Sequence, residues 1–212
     1  MCRVRKSLRS IGFPHANEII QLGAVLMDEK YEILSEFNRY VKPEFGELDS
    51  YISKLTGITE NDLKGSATLK DVLADFGNWI PDDEVYMVSW SDVDRFQLAA
   101  EMRSKQINIS KISDSFEMWI DSQKLFSERV NNERRYSLEE VIFACDIDAK
   151  GRLHDGYYDA YNTSLLFRKI MMENEIVFNP YYTIAKNSET NHLTFSLEGI
   201  LDGINFEECA GA

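Results

Sequence analysis

No stretch of the 212 residues approaches the roughly 20 consecutive apolar residues needed to cross a bilayer. The start also lacks the apolar core of a secretory leader. Cysteine is scarce and odd in number: Cys2, Cys145 and Cys209 lie far apart and form no C-x-x-C pair. That argues against a disulfide framework or a zinc site and favours a reducing cytoplasm. Positive charge is in deficit, with 23 Lys plus Arg against 36 Asp plus Glu and a net charge of −13. Such a chain gains no general attraction to phosphate backbones, which excludes a duplex-coating role. An enzyme that holds its own metal ions and takes one strand end tolerates that charge, because the metals reverse the local sign. Histidine occurs only three times, so each one can be weighed.

What is present is an ordinary globular composition, 44% apolar and 28% charged, with 12 Phe, 10 Tyr and 3 Trp to build a core. The length suits one domain with an appendage. Charge is uneven. Residues 1–10 hold Arg3, Arg5, Lys6 and Arg9 with no acid, whereas residues 171–212 hold seven acids and one Lys.

The run EIIQLGAVLM from Glu18 to Met27 reads as a strand covered on both sides. After the turn DEKYE, ILSEFNRYVKP reads as a second strand ended by Pro43, and two strands joined so closely pair antiparallel. SKLTGITENDL reads as short helical turns broken at Gly57. TLKDVLADFGNWIP carries Leu69, Val72, Leu73, Phe76, Trp79 and Ile80 at helical spacing and stops at Pro81, which predicts one helix over 68–80. EVYMVSW reads as a short strand and DVDRFQLAAEMRSK as the helix after it. WID is a further short strand before the helix QKLFSERV. SLEEVIFACDI opens with the capping-box pair Ser137 and Glu140, with Leu138, Val141, Ile142 and Cys145 on one face. DAYNTSLLFRKIMMEN is a long final helix, apolar at Ala160, Thr163, Phe167, Ile170 and Met171. Antiparallel strands followed by alternating strands and helices predict an α/β mixed sheet flanked by helices. Beyond about Asn174 the pattern changes, and YYTIAK with HLTFSL suggests a hairpin around SETN.

Three polar residues stand out. His15 and His192 read as surface residues. His154 lies in GRLHDGYYDAYN, just before a helix whose early turn holds Asp159, so an imidazole and a carboxylate can converge; a structural role for this histidine is the competing reading. Asp94 follows the apolar strand VYMVSW where a helix begins, the place at which open α/β sheets bind ligands. The competing reading of Asp92 or Asp94 is a helix N-cap.

Taken in order, the segments NEIIQLGAVLMDEKYEIL, LTGIT, SWSDVDRFQL and HDGYYDA resemble the DEDDh 3′–5′ exonucleases over roughly residues 10–172. This ribonuclease H-like group includes ribonuclease T and polymerase proofreading subunits. The resemblance implies a ribonuclease H-like mixed sheet over residues 1–173; residues 174–212 read as a short acidic C-terminal appendage, which its charge keeps away from the substrate. The resemblance also implies Asp94 and Asp159 as metal ligands and His154 as general base. Two divalent ions, Mg²⁺ or Mn²⁺, would be the cofactors, and the substrate would be a single-stranded 3′ end of RNA or DNA, cut to nucleoside monophosphates. No residue is singled out for base binding, no membrane is implied, and nothing indicates an oligomeric state.

One departure concerns the family's first motif, Asp-x-Glu, which does not occur between Met1 and Glu18. Met1 stands where relatives carry a Met just after that Glu, so the expectation is an N-terminally shortened form of an active exonuclease. A missing central strand with about four buried apolar side chains would cost about 6–12 kcal/mol, against a typical total stability of about 5–15 kcal/mol. The alternative is a non-catalytic nucleic-acid-binding or interaction protein on an exonuclease-like fold. A His-Asp phosphohydrolase, suggested by adjacent His154 and Asp155, is disfavoured by the strands and the few histidines.

Overall fold

A computed structural model describes residues 2–4 and 17–188. Seven short strands and nine α-helices are found among them. The expected hairpin forms from β3 (Gln21–Met27) and β4 (Ile33–Tyr40), paired antiparallel from Gln21↔Tyr40 with an irregularity between Leu26 and Met27. The run from Glu18 to Met27 is not one strand. β2 (Asn17–Glu18) joins β1 (Cys2–Val4) and β5 (Gly46–Glu47) in a separate ladder. The break has a polar cause, because the Ile19 N–H donates to the buried Glu101 carboxylate at 2.7 Å.

β6 (Met87–Ser89) and β7 (Trp119–Asp121) pair parallel, giving the mixed pairing expected of the sequence. The pairing is divided among three ladders rather than continuous. No ladder among the described residues joins β3 to β6. The strand that the resemblance places at the centre is not among the described residues.

Helices cover these strands. α1 (Ser50–Thr56) is capped by Asp49 and ends at Gly57, whose φ of 79° is the left-handed conformation that glycine adopts without strain. α2 (Glu60–Leu63) carries a full capping box between Thr59 and Asp62. α3 (Leu69–Trp79) is the helix predicted over 68–80, started by Thr68. Its Leu69, Val72, Leu73 and Phe76 pack with Phe37, Leu98, Met102 and Ile112 in the main core. α4 (Asp92–Ser104) follows β6, and α5 (Ser110–Ser115) leads to β7.

A second core gathers Phe126 of α6 (Ser122–Arg129), Val141 of α7 (Leu138–Ala144) and Leu166 and Ile170 of α8 (Gly156–Met172) around Tyr136. Ser137 caps α7 as expected, accepting from the Glu140 N–H at 3.1 Å. The Glu140 carboxylate does not complete the box; it takes Arg134 and the Tyr182 hydroxyl instead. In α8, Thr163, Phe167 and Ile170 are buried as predicted, but Met171 is 45% exposed.

The segment YYTIAK belongs to a helix, α9 (Pro180–Ser188), which corrects the expected strand. The reason is local. Pro180 has the fixed φ of a first helical residue, and the Asn179 side chain accepts from the Tyr182 N–H at 2.7 Å. HLTFSL lies outside the described residues. Ile176, Phe178 and Tyr182 pack on the second core, with Tyr182 fully buried.

Candidate active site

A cavity of about 580 Å³ is lined by residues of β3, of β6 and the turn after it, and of the start of α8. Asp94, His154 and Asp159 all line it, although they come from sequence segments up to 65 residues apart. His15 and His192 lie outside the described residues.

Asp94 reaches the cavity because β6 ends beneath it. Ser89 is pinned there three ways: its hydroxyl accepts from Trp119 Nε1 at 2.7 Å and donates to the Ser91 carbonyl, and its own carbonyl accepts from Ser122. The chain turns at Ser91, the N-cap residue, and Asp92 and Asp94 fall in the first turn of α4. Neither carboxylate is an N-cap, so the competing reading of these residues is corrected. Asp94 keeps part of its surface open, yet the surrounding protein mass takes away enough water to raise its carboxyl above the ordinary value.

The turn into α8 forms another part of the lining. Asp155 is the N-cap of that helix, its Oδ1 accepting the Tyr157 and Tyr158 N–H groups at 2.9 and 3.2 Å. His154 sits just before it with φ 66°, an uncommon conformation for a residue with a side chain. This backbone aims the His154 N–H at Asp159 Oδ1, 3.1 Å away. Burial pushes the Asp159 carboxyl up to about 6, helped by the charges of Asp155 and Asp94 and opposed by the bond from His154. Asp94 and Asp159 therefore feel one another across the cavity.

Two carboxylates that repel each other are hard oxygen donors suited to a divalent cation. Among the described residues they have no third partner, since no group of three or more His, Cys, Asp and Glu side chains is assembled to hold a metal. The donor set fits a divalent ion in kind. Sequence reasoning missed Gln21 and Ser89, which also line the cavity. Each looks like an ordinary strand residue, and no local signal distinguishes it.

The exonuclease family model of the RNase T type matches residues 11–167. The chain belongs to that family. It is 32% identical over 186 residues to human (Homo sapiens) ERI1 exoribonuclease 2, a match covering 75% of this chain and 26% of that protein. The DNA polymerase III subunit epsilon of Buchnera aphidicola is 28% identical over 177 residues, covering 81% and 73%. Among solved structures, the nuclease domain of 3′hExo, a DEDDh family member bound to rAMP, superposes with a TM-score of 0.68 at 20% identity, covering 84% of this chain and 92% of that one. That likeness establishes the ribonuclease H-like fold. The chain spans about a quarter to a third of the length of the ERI1 exoribonuclease 2 relatives it matches.

Proposed function

We propose that this chain is a metal-dependent 3′–5′ exonuclease domain that removes nucleoside monophosphates from single-stranded 3′ ends, with Asp94 and Asp159 as metal ligands and His154 as general base. The observation that carries the reading is the convergence of these three residues on one cavity within a fold of the exonuclease family. Mg²⁺ or Mn²⁺ would supply Lewis-acid stabilisation of the attacking and leaving oxygens. Asp94 and Asp159 are two of the four carboxylates that the DEDDh pattern implies, so they provide half of its ligand set. The imidazole of His154 suits the removal of a proton from the attacking water near neutral pH. The first turn of α4 holds Asp94, and the start of α8 with the turn before it holds Asp159 and His154, along one cavity that a strand end would enter. A single strand suits such a cleft because its terminal base can leave the stack and pack on apolar side chains.

Nucleic acid is the partner in this reading, supported by the exonuclease relatives. Cytoplasmic residence is part of it too, on the ground of the few, widely spaced cysteines. No helix among the described residues is long and apolar enough to cross a membrane.

The test is Mn²⁺ binding, followed by paramagnetic resonance, together with digestion of 5′-labelled RNA and DNA 12-mers. Metal-dependent ladders shortening from the 3′ end support the proposal. Strand binding with no Mn²⁺ binding and no digestion overturns it in favour of a non-catalytic nucleic-acid-binding module.

A further inference from the structure

Gln21 opens β3 and carries no charge, yet it makes the bonds that tie this strand to the start of α8. Its Oε1 accepts the Gly156 N–H at 2.8 Å. Its Nε2 donates to Asp155 Oδ1 at 3.1 Å and to Asn38 Oδ1 at 3.1 Å. Asp155 and Gly156 are the N-cap and first residue of α8, and they lie between His154 and Asp159 in the chain. One amide thus holds the middle of the turn whose two ends face the cavity.

Two further observations show that the fit is close. A Cβ placed on Gly23 would lie 2.4 Å from the Gly156 carbonyl oxygen and from the Tyr157 backbone, so β3 and α8 approach backbone to backbone. A Cβ on Gly156 would lie 3.2 Å from Gln21 Oε1. The two glycines bring the surfaces together, and the Gln21 amide fixes how they are phased.

Helix formation alone does not require this arrangement. Asp155 already satisfies two N–H groups of α8, and the helix runs for 17 residues. What Asp155 cannot do is set the rotation of α8 relative to β3. That rotation decides where His154 and Asp159 stand with respect to Asp94.

We infer that Gln21 is a positioning residue for the site, holding the His154–Asp159 turn against β3 through Asp155 and Gly156; as a statement about catalysis, this rests on the exonuclease reading above. The role needs an amide, because the site asks for one acceptor toward Gly156 and one donor toward Asp155. A carboxylate at position 21 has the same shape, keeps the acceptor and places a negative charge against Asp155.

The experiment compares wild type, Gln21→Glu, and the double variant Gln21→Glu with Asp155→Asn in the full chain. In the double variant position 155 no longer carries a charge, so the carboxylate at position 21 faces a neutral amide that still caps the helix through its oxygen. The repulsion between positions 21 and 155 is thereby removed. Backbone amide hydrogen exchange at 154–156 and thermal melts are measured in metal-free buffer, and kcat and KM for the labelled 12-mer are measured with Mn²⁺. Expected for Gln21→Glu is a tenfold or greater rise in exchange at the His154 amide with the melting temperature nearly unchanged, and a tenfold fall in kcat with KM within twofold. The double variant should return both to within threefold of wild type. Unchanged exchange at His154, no rescue, or a fall in activity that follows the melting temperature overturns the inference. If the wild type neither binds Mn²⁺ nor digests the strand, the exonuclease reading fails, and the exchange data still decide whether Gln21 holds the turn.

Discussion

Lys105 Nζ lies 2.6 Å from Glu18 Oε1, a pair separated by 87 residues and almost wholly withdrawn from solvent. Glu18 also accepts the N–H groups of Glu44, Phe45 and Gly46 at 2.7–3.0 Å. Burial works against the Lys105 charge, but the bonds and attraction from Glu18 and Glu101 outweigh it and hold the ammonium above its ordinary value. Lys105→Met leaves buried carboxylates without their counter-charge, which costs about 3–5 kcal/mol. Urea melts at pH 7 check this, and a loss below about 1 kcal/mol would show that water compensates the site.

At the cavity, Asp94→Asn and Asp159→Asn each remove a candidate metal ligand. Metal-dependent 3′-end digestion should fall by about 10²-fold or more in each, since several kcal/mol of charge stabilisation disappears. His154→Ala should lower kcat by about 10²–10⁴-fold while Mn²⁺ binding persists. Equal loss of metal binding in the His154 variant would place the imidazole among the ligands.

Asp159 also sets a pH dependence. In the fold its carboxyl holds a proton up to about pH 6, while in the unfolded chain it releases it near 3.8. A raised acid contributes stability that is complete below the unfolded value and is lost as pH rises through the folded one. Without metal, wild type should therefore lose stability between about pH 4 and 6. Asp159→Asn should flatten its share of that slope and melt higher than wild type at pH 7–8. Mn²⁺ should reverse the order, stabilising wild type at pH 7 and binding more weakly as pH falls through 6.

Ending the chain after Glu173 strips Phe178 and Tyr182 from the second core and leaves Glu140 without its hydroxyl partner. Losing each such aromatic costs about 3–5 kcal/mol. The shortened chain should be largely unfolded at 37 °C by circular dichroism. A truncated form with an unchanged melt would show that residues 174–188 contribute no stability.

Much of the fold was legible because local physics and tertiary packing agree. Leu69, Val72, Leu73 and Phe76 repeat at helical spacing and occupy one core, and Gly57 ends a helix where only glycine sits easily. The segment YYTIAK was misread because its aromatic and branched residues favour strands, although the preceding Asn-Pro pair was a helix start in plain view. Motif order singles out Asp94, His154 and Asp159, and the structure brings these three to the lining of one cavity. Glu18, Glu101 and Lys105 were not legible, since charged residues on an amphipathic pattern look solvated until the fold buries them. Gln21 was invisible for a different reason: its meaning lies in partners 134 and 135 residues away.

That distance has a kinetic side. Contacts so remote in sequence form late, because a long loop must close before any bond rewards it. During synthesis the hairpin from Gln21 to Tyr40 can pair while most of the chain is still unmade. A nascent chain stalled before residue 154 has Asp94 but none of the cavity lining that α8 supplies. The two parts of the cavity lining meet in a single event, when the start of α8 leaves the ribosome and settles on β3.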